Sequence, residues 1–308
     1  GRARFRQQVR EYLKELKPHL PAGKNILFAH LMAGGVPRTK IIMPLMNRSV
    51  KGTGDRFLAS EKFWNSDLGK LCEMSFREVT AETFRILIEE TAGVRSELES
   101  KGCVVAYSAY GYHGTEVITR DDYNWQTYTP YLQGWAKMDL ENLSREFSSK
   151  GMRTCVFNCP EILTNSSSIF QGVEMPLYPL LAALKKENAG STKTKAVWQE
   201  CQDLLKPEFK IENALELCFE TLNNPEIQAH CKFEKWPQHN GAQQLEIILN
   251  TSDALSNMHS DPKNLMTAVL SEIVFSSCGR LMLEDVAAPD SPVTWLNHDV
   301  VARTFLES

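Results

Sequence analysis

Tyr128 and Lys137 stand nine positions apart in Tyr128-Thr-Pro-Tyr131-Leu-Gln-Gly-Trp-Ala-Lys137. A free phenol has a pKa of about 10, and a nearby ammonium stabilises its anion and lowers that value. A tyrosine assisted in this way donates a proton, or polarises a carbonyl, near neutral pH. The two residues are thus a candidate acid and its helper. Tyr131, six positions before Lys137, is a rival for the acid's place. Tyrosine and lysine are common enough to fall this close by chance, so the elements around them decide.

The apolar run Cys103-Val-Val-Ala-Tyr-Ser108 reads as a strand, and the amphipathic stretch from about Tyr131 to Lys150 reads as a helix. Gly151 suits the left-handed position after that helix, and Arg153-Thr-Cys-Val-Phe-Asn158 follows as another strand. Strand, helix and strand in this order predict a parallel sheet with right-handed crossovers. Between the first strand and the helix, Gly111, Gly114 and the polar stretch Thr115 to Thr127 read as a loop. In open α/β sheets ligands bind at such loops, beyond the carboxyl ends of the strands. His113 lies in this loop and reads as a solvated side chain before a catalytic one.

Upstream, Phe5, Val9, Leu13 and Leu16 have helical spacing, and Pro18 and Pro21 stop the helix before an apolar strand at Asn25. Ser75-x2-Glu78 has the form of a capping box opening a helix that closes at Lys101-Gly102. Lys40 to Met46 is apolar but broken by Pro44. After Gly190, helices are expected at 194–205, 211–222, 243–256 and 262–275. Trp236 and Trp295 read as packing anchors. The fold class is α/β: a Rossmann-like doubly wound parallel sheet with a mostly helical C-terminal extension. Residues 1–190 form the core and residues 191–308 a helical region for the substrate side or for dimerisation.

Val104-Val-Ala-Tyr-Ser, Gly114-Thr-Glu116, Tyr128-x8-Lys137 and Met138-Asp-Leu140 together resemble the monomeric enoyl-thioester reductases of the FabV and trans-2-enoyl-CoA reductase type. That family lies in the short-chain dehydrogenase superfamily and has a longer Tyr–Lys spacing than most of it. Thr164-Asn-Ser-Ser-Ser168, Met175-Pro-Leu-Tyr178 and Lys185-Lys-Glu187 are similar to the family's substrate-side loop and helix. Asn25 to Ala33 is similar to its fourth strand and the small-residue turn after it. The likeness is weak over Gly34–Lys101 and ends near Gly190.

The resemblance implies reduction of a trans-2-enoyl thioester, on acyl-carrier protein or CoA, by NADH or NADPH. Tyr128 would be the oxyanion donor. Lys137 would hold the nicotinamide ribose and keep Tyr128 acidic. Tyr112 matches a second family tyrosine, with Tyr110 competing because the loop is longer here. Ala33, Thr164 and Ser166 would lie beside the cofactor. A ketone or aldehyde (3-oxoacyl) reductase on the same scaffold, or a non-catalytic dehydrogenase-like scaffolding subunit, are the alternatives.

The scaffolding alternative arises because no G-x-G-x-x-G stands near the start; Gly34-Gly35 and Lys51-Gly-Thr-Gly54 read as loops. A glycine-rich turn and its strand are therefore expected to come from an N-terminal segment, and either that segment or a second copy would complete the sheet. With a net charge of −4 there is no basic footprint for nucleic acid. No apolar run reaches the ~18–20 residues of a bilayer span. The eight cysteines are scattered without a CxxC pair, and Cys155-x3-Cys159 falls in a strand without a histidine at finger spacing. A reduced, cytoplasmic protein without a metal site is expected.

Overall fold

β-branched and aromatic residues make the strands, and their alternation decides which side each one buries. Four strands form a parallel sheet: β1 (Ile26–His30), β2 (Val105–Gly111), β5 (Arg153–Asn158) and β6 (Val293–Trp295), in the order β1-β2-β5-β6. Two further strands, β3 (Gly114–Thr119) and β4 (Asp122–Thr127), pair antiparallel as a hairpin between β2 and the helix Leu132–Ser149. This computed structural model describes every residue except 22, 33, 36, 38, 39, 128–131, 165–171 and 232–238, and only the backbone of 127 and 132–135.

The sheet is covered on both faces. On β5, Val156 points into a core with Phe28, Phe84, Val105, Tyr107 and Leu140. Its neighbours Cys155 and Phe157 point the other way, into a core with Leu180, Leu184, Ile211, Leu270 and Val301. The first layer holds the helices Arg2–Leu16, Thr83–Glu90, Ala92–Ser100 and Leu132–Ser149; the second holds the helices after Glu174. Arg6 and Arg10 both pair with Glu90, at 2.7 and 2.5 Å, and fix the first helix on its neighbour. Among the described residues no strand pairs with the other side of β1, which is the sheet edge.

The doubly covered parallel sheet and the helical C-terminal region are those expected from the sequence. Four local readings differ. The stretch expected as a loop, Thr115 to Thr127, is the β3–β4 hairpin; its two-residue turn places Arg120 at φ 67°, in the left-handed region. Ser75 lies inside the helix Asp67–Arg77, whose cap is Ser66 accepting from the Gly69 N–H at 3.1 Å. Pro44 does not break its segment: it sits in the first turn of the helix Ile42–Lys51, where its missing N–H costs nothing. The last long helix runs Thr267–Asp285, ten residues past its expected end. Gly102 and Gly151 do take the left-handed conformation after their helices.

Candidate active site

The helix Leu132–Ser149 turns two stripes inward. Leu140, Leu143 and Phe147 pack into the apolar core, while Lys137 and Glu141 face the carboxyl ends of β2 and β5. Lys137 is 1% exposed, and its Nζ donates to the Tyr110 carbonyl. The ammonium also lies over the Tyr112 ring, 5.0 Å from its centroid. One carbonyl uses one of its three hydrogens. Burial pulls the Lys137 amine down to about 7, a little offset by Cys159 nearby.

Groups from three strand ends surround this lysine. His30 ends β1, is 3% exposed, and lies within reach of the Lys137 charge. Its Nε2 is 2.8 Å from Thr83 Oγ1, whose own hydrogen goes to the Val79 carbonyl at 2.6 Å. The imidazole must therefore donate from Nε2. Burial first, and Lys137 second, hold it neutral, down to about 3. Thr83 follows a π-helical turn, Glu78–Glu82, and Thr80 in that turn donates to the Gly34 carbonyl at 3.1 Å. Such bulges concentrate at functional sites. Gly35, at φ +119°, passes so close to the helix Asp67–Arg77 that a Cβ there would meet the Ser75 carbonyl at 2.6 Å.

After β5 come Cys159, Pro160 and Glu161. Desolvation, with Glu174 adding repulsion, pushes the Glu161 carboxyl up to about 8. Burial and then Glu161 push the Tyr112 phenol up, and burial, Cys159 and Cys278 do the same to Tyr110. Both phenols stay protonated and keep a hydrogen to donate. Tyr112 is the one beneath Lys137, while Tyr110 packs against the core of the second layer.

Of the residues singled out from sequence, Lys137 and Tyr112 come together at the carboxyl ends of the strands. Thr164 is exposed, six residues beyond the end of β5. Tyr128, its rival Tyr131, Ala33 and Ser166 lie outside the described residues. His113 is not solvated: it is 1% exposed and bonded to Glu141. His30, Glu141, Asn158 and Glu161 were not singled out. Glu141, one turn after Lys137 on the same helix face, had a signal that could have found it.

A separate groove of about 560 Å³ opens on the outer face of the same helix, between Arg2, Arg77, Arg85, Asp139 and Glu146. Its charges pair across it: Arg77 with Asp139 at 2.5 Å and Arg85 with Glu146 at 2.9 Å. Nothing there resembles the buried amine over its half-buried phenol on the inner side.

A covered parallel sheet with its site at the carboxyl ends of the strands is the arrangement of a Rossmann-like fold, and here a buried lysine and a half-buried tyrosine stand at those ends. The chain matches the family of enoyl-acyl carrier protein reductase FabMG over residues 1–305 and belongs to that family. It is 46% identical to a FabMG of known apo structure, described as a novel type of enoyl-acyl carrier protein reductase, with a TM-score of 0.95. That match covers 99% of this chain and 69% of the other. It is 45% identical to a FabMG solved with NADH bound, over 90% of this chain and 68% of that one, with a TM-score of 0.78. No curated protein matches. The enoyl-reductase class expected from the resemblance therefore holds, within the FabMG family, and the scaffolding alternative gives way to an enzyme.

Proposed function

We propose that this chain uses NADH to reduce the double bond of a trans-2-enoyl group carried on acyl-carrier protein, with Tyr128 as oxyanion donor and Lys137 as its helper. The observation that carries this reading is Lys137 itself: a buried amine at the strand ends, directed at the segment bearing Tyr112 and nine residues after Tyr128. The NADH-bound relative supports NADH over NADPH. The residues fit such a cofactor, because Lys137 has hydrogens left for ribose hydroxyls after serving Tyr110.

When bound, the cofactor would supply hydride to the β-carbon, and a proton taken up at the α-carbon would complete the saturated thioester. Before that proton arrives, negative charge lies on the thioester oxygen, and donors aimed at that oxygen lower the barrier. Tyr128 donates there, and Tyr112, held protonated, is the second donor. Lys137 binds the ribose and lowers the Tyr128 pKa while it is charged. Ala33, Thr164 and Ser166 line the cofactor side. The Tyr-x8-Lys arrangement allies this site with the FabV and trans-2-enoyl-CoA reductase type.

Residues 1–190 carry this chemistry, and residues 191–308 wall the substrate side. The open edge of β1 pairs with a strand from another segment or from a second copy. Eight free cysteines suit the reducing cytoplasm. The test is NADH consumption with crotonyl thioesters of acyl-carrier protein and of CoA. Preference for the carrier protein, with turnover lost in Tyr128→Phe, supports the reading. Turnover of a 3-oxoacyl thioester in place of the enoyl one contradicts it.

A further inference from the structure

One turn beyond Lys137, the Glu141 carboxylate is 1% exposed. Its Oε1 accepts from His113 Nδ1 at 2.9 Å and from Asn158 Nδ2 at 3.0 Å, and its Oε2 from Arg145 at 3.4 Å. A carboxylate has no hydrogen to give, so His113 carries a proton on Nδ1. The other side of the Asn158 amide, Oδ1, accepts the His113 backbone N–H at 3.2 Å. Trp125 and Trp295 wall the imidazole, with ring centroids 6.3 and 5.9 Å away. The end of β2 is shaped to let this network close: a Cβ at Gly111 would lie 2.1 Å from Asn158 Oδ1.

A buried carboxylate is costly unless fully bonded, and a bonded network of this kind specifies one local geometry. Here the geometry is that of residues 110–113. Lys137 holds the segment at the Tyr110 carbonyl and Glu141 holds it at His113, from successive turns of one helix. Tyr112 lies between the two tethers. We propose that Glu141 is a positioning residue which, through His113 and Asn158, fixes the Tyr112 ring beneath Lys137. The inference rests on the reading of Lys137 and Tyr112 as site groups. Its value to the reaction is that a donor displaced by about 1 Å loses much of its effect.

The test uses the full chain with Glu141→Ala, His113→Ala and His113→Gln. Expected in the first two is a fall in kcat of roughly ten- to hundred-fold, with KM for NADH changed by less than about two-fold. The double variant loses little more than either single one, because the two residues act as a unit. His113→Gln keeps an N–H for Glu141 and recovers most of kcat. Wild-type kcat in both Glu141→Ala and His113→Ala, or additive losses that His113→Gln does not recover, overturns the proposal. Should these variants not fold, the 15N NMR spectrum of the wild-type imidazole decides: a proton on Nδ1 is expected, and one on Nε2 alone overturns it. Failure of the underlying site reading shows separately, as wild-type turnover in Lys137→Ala and Tyr112→Phe.

Discussion

The helix Leu132–Ser149 carries charged groups on two faces, and the two faces treat them differently. On the outer face, Asp139 and Glu146 meet Arg77 and Arg85 across an open groove. Arg85 first, and Lys150 second, draw the Glu146 carboxyl down to about 2, yet the group is more than a third exposed and water screens it. On the inner face, Lys137 and Glu141 have lost water altogether. Each is held by a few fixed partners, and burial alone brings the lysine amine down to about 7. Depth, more than the number of charges, separates a surface that holds helices in register from a site that can move protons. The groove opens to the surface, and the proposed chemistry belongs to the inner face.

The strongest challenge to that contrast is Tyr128→Phe. Removing one oxyanion donor lowers turnover by roughly 10²–10³-fold. The thermal midpoint should stay at its wild-type value. Near-normal reduction of a crotonyl thioester would move the acid's role to Tyr131 or Tyr112.

Gly111→Ala sharpens the contrast by disturbing the inner face without touching a charge. The new methyl collides with Asn158 Oδ1, and the buried strand end has little room to yield. Destabilisation of about 1–3 kcal/mol is expected in urea unfolding. A change within experimental error would mean that the ends of β2 and β5 are loosely joined.

The smallest effect belongs to the outer face. Arg85→Ala and Glu146→Gln should each cost about 0–1 kcal/mol of stability and leave turnover unchanged. Their coupling in a double-mutant cycle should shrink as salt is added. A large loss of activity here would erase the distinction between the faces.

Much of this arrangement is legible in the residues. The β2 and β5 runs are long and apolar, and Gly102 and Gly151 mark the ends of the helices that precede them. Lys137 and Tyr112 stand out by spacing and by resemblance. Other parts are hidden for physical reasons. β6 is three residues long, too short to show a period, and only β5 makes Val293-Thr-Trp295 a strand. The β3–β4 hairpin is rich in polar residues, yet Thr115, Thr119 and Gln126 are buried, so polarity misleads there. Ser75 has the form of a cap because Ser-x-x-Glu is frequent within helices as well as before them. The His113–Glu141–Asn158 network joins the turn after β2, one helix and the end of β5, and only the folded sheet brings those three together.

The central claim is that Lys137 is the buried cation that holds the cofactor. The direct test is the NADH dissociation constant, measured by fluorescence titration from about pH 6 to 9 in wild type and Lys137→Ala. With its amine at about 7, Lys137 is charged below that pH and loses its proton above it. The prediction is that wild-type affinity weakens as pH rises through about 7, and that Lys137→Ala binds weakly with little pH dependence across this window. Binding by Lys137→Ala as tight as wild type, with the same pH profile, would contradict the account.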